Sequence, residues 1–206
     1  MARLSFTLLV AVLASFVLAT ASDPDILTDF VAPANITGQV PGSFFKFTKI
    51  RSLVDDNAEF PKEFTVTKAS LAEFPALDGQ SVSFAVLQYP GGTVNPPHTH
   101  PRSAELLFLL SGTLFVGFVD TTNNLYTETL QGGDMFIFPK GLVHFQYNFK
   151  SDVAVAVSAF GSSNAGTVSI PKTVFTAGID ETVLAKSFKA SILDIKKLEA
   201  GLKPKA

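Results

Sequence analysis

From Ser43 to Phe160 the chain is cut into short apolar runs, each closed by a turn signal before it reaches the length of a typical buried helix. SFFKFTKI (43–50), SVSFAVLQY (81–89), ELLFLL (105–110), TLFVGFVD (113–120), LYTETL (125–130), MFIF (135–138), VHFQYN (143–148) and VAVAVSAF (153–160) are rich in Phe, Val, Ile, Leu and Thr. Between them stand Asp78-Gly79, Pro90-Gly91-Gly92, Ser111-Gly112, Asn123-Asn124, Gly132-Gly133 and Pro139-Lys140-Gly141. Closely spaced short strands punctuated in this way predict an all-β sandwich or barrel. The aromatic content fits: 20 Phe against 3 Tyr and no Trp suits sheet-on-sheet packing. At 206 residues, 47% hydrophobic and 17% charged, the chain is long enough for one well-packed domain and too apolar to be disordered. A net charge of −2 argues against a protein that coats nucleic acid.

The two ends read differently. Residues 1–21, MARLSFTLLVAVLASFVLATA, join one basic residue to an apolar run and a small-x-small site at Ala19-Thr20-Ala21, the three parts of a cleaved secretory signal peptide. Residues 22–42 carry Pro, Gly, Asn and Asp and read as an irregular N-terminal arm; they include Asn35-Ile36-Thr37, a sequon that marks Asn35 for glycosylation. Residues 43–175 form the predicted β domain, and 176–206 a helical segment. In that segment the pattern turns to helix formers from about Asp180, Ser191 and Asp194 are spaced as a capping box, and Ile192, Ile195 and Leu198 form an apolar stripe that needs a burial site. The expected product is secreted, with no membrane span after cleavage. It contains no cysteine, so its stability must come from packing, bound metal or subunit contacts.

The three histidines carry the chemistry. His98 and His100 stand two apart, so on an extended backbone both imidazoles face one side. Glu105 opens an apolar run in which a charge is costly unless it is paired or meets a cation. His144 lies between Val143 and Phe145, and alternation puts Gln146 and Asn148 on its side of the strand. Three imidazoles and one carboxylate make a mixed N and O donor set that leaves positions open on a six-coordinate metal. The same residues are also compatible with a satisfied core histidine or a charged strand edge, and spacing alone does not decide.

The full pattern resembles the two motifs of the germin-like proteins in the cupin superfamily. Gly92-x5-His98-x-His100-x4-Glu105-x6-Gly112 matches the first motif, and Gly133-x5-Pro139-x-Gly141-x2-His144-x3-Asn148 matches the second. The resemblance spans nearly all of residues 22–206. It implies a double-sheet jelly-roll barrel with a short C-terminal helical segment. It further implies one manganese per chain, held by His98, His100, Glu105 and His144, in a homo-oligomer built as a hexamer (a trimer of dimers) whose C-terminal helices serve the contacts. Manganese comes from the resemblance alone, since an imidazole-rich set binds Zn²⁺ or Cu²⁺ more tightly by intrinsic affinity. The implied product works on a small-molecule substrate in the extracellular space or apoplast, with weak cell-wall association.

The chain departs from the family in two places. Germins usually carry a disulfide near the mature N-terminus; here Val31 stands at the first cysteine position and the second has no counterpart, which predicts a looser arm over 22–42. The family's oxalate oxidases hold oxalate with two asparagines; Asn95 matches one, and ungapped alignment puts Phe84 at the other. Superoxide dismutase activity therefore ranks first, with Asn95 and Gln146 as candidate residues beside the metal. Oxalate oxidase and a non-catalytic wall, receptor or nutrient-reservoir protein are the alternatives.

Overall fold

Alternating inward and outward side chains build ten strands into two five-stranded antiparallel sheets, in a computed structural model that describes residues 23–53, 55 and 58–203. The expected signal peptide, residues 1–21, and residues 204–206 of the tail lie outside the described residues. The strands are β1 (Thr65–Ala69), β2 (Ser83–Tyr89), β3 (Val94–Thr99), β4 (Glu105–Ser111), β5 (Thr113–Val119), β6 (Leu125–Gln131), β7 (Met135–Phe138), β8 (Val143–Tyr147), β9 (Ala154–Phe160) and β10 (Val168–Ser169). One sheet runs β1-β2-β9-β4-β7 and the other β10-β3-β8-β5-β6, the jelly-roll arrangement expected from the sequence. Leu107, Leu109, Leu114, Val116 and Phe138 are fully buried in the core cluster. Each fully buried residue of this size contributes about 1.5–3 kcal/mol by removal from water.

Gly112 sets the tight turn from β4 into β5. Its φ is +87°, and a Cβ there would lie 2.7 Å from both Ala154 Cα and Val153 O, so backbone would have to move to admit any side chain.

One strand expectation needs correction. Residues 43–50 form no strand but two 3₁₀ turns, Gly42–Phe45 and Lys49–Leu53. Phe44, Phe45 and Phe47 do not alternate, and they pack locally: Phe45 lies edge-on to Phe30 and to Phe44, and Phe47 against Phe74. β1, β3 and β10 add strands beyond the apolar runs picked out in the sequence. In β3 the pairing with β8 shifts register between Asn95 and His98, which places Pro96 and Pro97, lacking N–H groups, where the ladder is already broken.

The start of the arm is tied down by side-chain bonds. Asp23 bonds the Ser162 hydroxyl and the Ser163 N–H, each at 2.6 Å, Ile26 lies over Gly79, and Gln80 donates to Asp29 O. Val31 is half-exposed, and Asn35 is exposed in a turn closed by Ile36 N–H donating to Pro33 O.

Three helices follow the barrel: α1 (Ile170–Thr176), α2 (Glu181–Phe188) and α3 (Ile192–Leu202), the first starting well before the expected Asp180. Asp180 caps α2 by accepting from Thr182 and Val183 N–H. Ser191 caps α3 by accepting from Asp194 N–H, and the Asp194 carboxylate reaches back to the Ser191 hydroxyl and main chain, as the expected capping box requires. Of the expected stripe, Ile195 is fully buried, whereas Ile192 and Leu198 remain 45% and 47% exposed. Among the described residues, no helix is long and apolar enough to cross a membrane.

Replacing Gly112 with Ala should lower stability by about 2 kcal/mol or more through the forced φ and the backbone clash. Thermal unfolding checks this, and an unchanged midpoint contradicts the role assigned to this turn.

Candidate metal centre

The two sheets contribute unequally to one buried cluster. His98 comes from β3, His100 from just beyond it, and His144 from β8, where it pairs directly with His98. Glu105 is the first residue of β4 in the opposite sheet, between Phe138 of β7 and Phe160 of β9. All four side chains are buried, and one candidate ligand atom from each lies within 4.8 Å of the others.

The histidines are oriented by main chain. His98 Nδ1 lies 2.8 Å from Pro96 O, His144 Nδ1 lies 2.9 Å from Leu142 O, and His100 Nδ1 bonds Gly166 O. A carbonyl oxygen only accepts, so each Nδ1 must carry the hydrogen, which leaves each neutral ring's Nε2 lone pair free. Aromatic packing fixes the planes: Phe138 stacks on His144 with centroids 4.5 Å apart, and Phe160 meets His100 edge-on at 4.8 Å.

Those free nitrogens face a carboxylate. His100 Nε2 and His144 Nε2 lie 3.0 and 3.1 Å from Glu105 Oε2, while the other carboxylate oxygen accepts from the Ser158 hydroxyl at 2.6 Å. Neutral imidazole lone pairs against a carboxylate are acceptor against acceptor. Each contact needs either a proton on the ring or a cation shared among the groups, and two buried imidazoliums side by side repel. The donor set therefore fits a divalent cation. Burial acts to raise the Glu105 carboxyl, but when the His100 and His144 rings are protonated and donate to it they outweigh burial and hold Glu105 below the ordinary carboxylate range. Burial first, and the neighbouring His144 second, hold His98 down to about 4.

Beside the cluster, Asn95 pairs with Gln146 across β3 and β8. The Asn95 amide donates to Gln146 Oε1 at 2.6 Å and lies 3.5 Å from His98 Nε2. Gln146 is fully buried, its Oε1 also accepts from Tyr89 OH, and its Nε2 has no partner among the described residues. Asn148, on the same face, is occupied structurally: it donates to Tyr89 O and Asp152 O. A cavity of about 150 Å³ opens from the cluster. Among the described residues lining it, Glu105 is the sole acid and Lys68 of β1 the sole cation. Phe84 borders this cavity, but the core-facing positions of β2 are Ser83, Ala85 and Leu87, so no amide projects from that wall.

Residues 55–195 match the Cupin family. The chain is 58% identical to germin-like protein 9-3 of Oryza sativa subsp. japonica, over 98% of this chain and 96% of that one. It belongs to the germin-like cupins. Among more distant relatives, the rhicadhesin receptor of Pisum sativum is 43% identical over 68% of this chain and 65% of its own length. A solved oxalate oxidase superposes with a TM-score of 0.76 at 32% identity, covering 87% of this chain and 98% of that one.

Sequence reasoning about this germin-like chain missed Ser158, Lys68 and the Gly166 carbonyl. Ser158 had a signal, a lone hydroxyl among the apolar residues of 153–160. A backbone acceptor such as Gly166 O has none.

In the metal-free protein His98 should titrate near pH 4, not near its ordinary 6.5. The unfolded chain takes this proton first, so the His98 contribution lowers folded-state stability as pH falls from about 6.5 to about 4, by a few kcal/mol in all. An NMR titration of the ring protons, with melting curves at pH 7 and 4.5, measures both. Titration near 6.5 contradicts it.

Proposed function

We propose that this germin-like cupin is a secreted manganese protein with superoxide dismutase activity, holding one metal per chain through His98, His100, Glu105 and His144. The observation that supports it is the acceptor-only convergence of three preset imidazoles on one anionic carboxylate. Bound manganese supplies one-electron chemistry, alternating between Mn(II) and Mn(III) while two superoxides and two protons become O₂ and H₂O₂.

The chain's own residues do the rest. The main-chain carbonyls of Pro96, Leu142 and Gly166 hold the ring tautomers, and Ser158 fixes the carboxylate. Gln146 Nε2 is a buried donor with spare capacity, suited to orienting a protonatable oxygen beside the cluster. Asn95 holds the Gln146 carbonyl and so directs that donor. Lys68 places a positive charge on the cavity lining, which favours a small anion. For the assembly we propose the hexamer: the exposed Val183, Phe188, Ile192, Leu193 and Leu198 offer an apolar surface for subunit contacts. The proposed site of action is extracellular, with residues 1–21 as the cleaved signal.

Oxalate oxidase is the second reading. The likeness to solved oxalate oxidases and a cavity sized for a small diacid favour it. The β2 wall weighs against it, because Ser83 already donates to Ser162 O and Ala85 has no polar atom to offer.

Elemental analysis and a superoxide dismutase assay on the same purified protein test the proposal. Stoichiometric manganese with activity that disappears in His98→Ala supports it. Oxalate-dependent H₂O₂ moves the chain to the second reading, and zinc, or manganese without turnover, to a binding protein.

Gln146→Leu should lower turnover by about tenfold or more while leaving manganese content unchanged. Unaltered turnover removes Gln146 from the reaction.

A further inference from the structure

The segment between β9 and β10, residues 161–167, has no strand ladder of its own, yet it does two things for the site. Gly166 O fixes the His100 tautomer, and Asn164 to Thr167 line the cavity. Its shape therefore depends on bonds from elsewhere. Ser83 donates to Ser162 O at 2.7 Å, Leu71 N–H donates to Ser163 O at 2.8 Å, and Arg102 N–H donates to Ala165 O at 3.2 Å. The Arg102 guanidinium also bonds the backbone and side-chain oxygens of Asn164.

The remaining tie comes from the far end of the chain. Asp23 uses both carboxylate oxygens: Oδ1 accepts from the Ser162 hydroxyl and Oδ2 from Ser163 N–H, each at 2.6 Å. The Ser162 hydroxyl oxygen in turn accepts from Asn164 N–H at 3.1 Å. One carboxylate thus closes the turn that leads, three residues on, to the carbonyl holding His100. Its pKa agrees: burial pushes it up, and the Ser162 and Ser163 bonds outweigh that and hold it below the ordinary value. Cleavage after Ala21, as expected from the sequence, keeps Asp23 in the mature chain.

We propose that Asp23 is a positioning residue for the metal centre: by clamping Ser162 and Ser163 it holds segment 161–167 so that Gly166 O stays against His100 Nδ1. The effect on metal rests on the reading of the cluster as a metal site; the effect on His100 does not. The N-terminal arm acts here as a strap, doing with two charge-assisted hydrogen bonds what this chain cannot do with a disulfide.

The test compares wild type with Asp23→Ala, Asp23→Asn and Ser162→Ala in the mature protein. Two quantities are read: Mn(II) affinity by EPR titration, and the His100 Nδ1–H resonance of the metal-free protein by ¹⁵N-edited NMR. Asp23→Ala should weaken Mn(II) binding about tenfold and shift or broaden the His100 Nδ1–H signal, leaving those of His98 and His144 in place. Asp23→Asn, which keeps one acceptor oxygen, should recover part of both effects. Ser162→Ala should act in the same direction and add little to Asp23→Ala, because the two share one bond. If Asp23→Ala fails to fold, Ser162→Ala and Asp23→Asn decide alone. A lowered melting temperature with unchanged Mn(II) affinity and an unmoved His100 signal overturns the proposal. Failure of the wild type to bind Mn(II) rejects the manganese reading instead, and the His100 comparison still decides the role of Asp23.

Discussion

Everything in this protein leans on one meeting across the barrel: a carboxylate on one sheet against three imidazoles of the other. Glu105 opens β4, whereas His98 and His144 pair within the opposite sheet and His100 follows directly after β3. Bringing four polar side chains out of water is unfavourable unless they satisfy one another or share an ion. The barrel makes that possible by closing the two sheets over Leu107, Leu109, Leu114 and Val116, so the packing that stabilises the fold also sets the distance across the site. Phe138 and Phe160 belong to both jobs. They flank Glu105 in the sheet and pack on the rings of His144 and His100.

Electrostatics then divides the cavity. The cluster holds its only acid among the described lining residues, already engaged by Ser158 and two histidines. Lys68 brings the opposing charge from β1, an edge strand. Beside the cluster stands one amide pair, Asn95 and Gln146, where one amide is used to aim the other. A donor left without a partner inside a well-packed barrel is costly as pure structure, and that cost is the physical reason to look for its use in chemistry.

Much of this was legible in the sequence because strand alternation is local. His98 and Glu105 each lie on a strand whose inward period can be counted along the chain, and so do His144 and Gln146. The all-β class followed from turn signals for the same reason. What failed was whatever depends on a partner far away in sequence. The run 43–50 is as apolar as any strand, but its phenylalanines pack on one another and on Phe30 and Phe74 instead of pairing. β3 presents His98 inward as its extended pattern requires, but the register shift at Pro96 and Pro97 is set by its pairing with β8. The bonds at the start of the arm were not legible because nothing in its own sequence points to Ser162 and Ser163, some 140 residues on.

The three carbonyls behind the histidines have a consequence for how this site tolerates change. An acceptor that belongs to the peptide group is not removed by any side-chain substitution: Pro96 or Leu142 can be replaced and an oxygen still stands at that point in the chain, whereas at Gly166 the positive φ and the adjacent Arg102 guanidinium would make a new side chain move the backbone itself. Damage can come only through displacement of the backbone, which is governed by turns and strand register. Ligand orientation in this protein is thus inherited from the course of the chain, and drift in residue identity reaches it last.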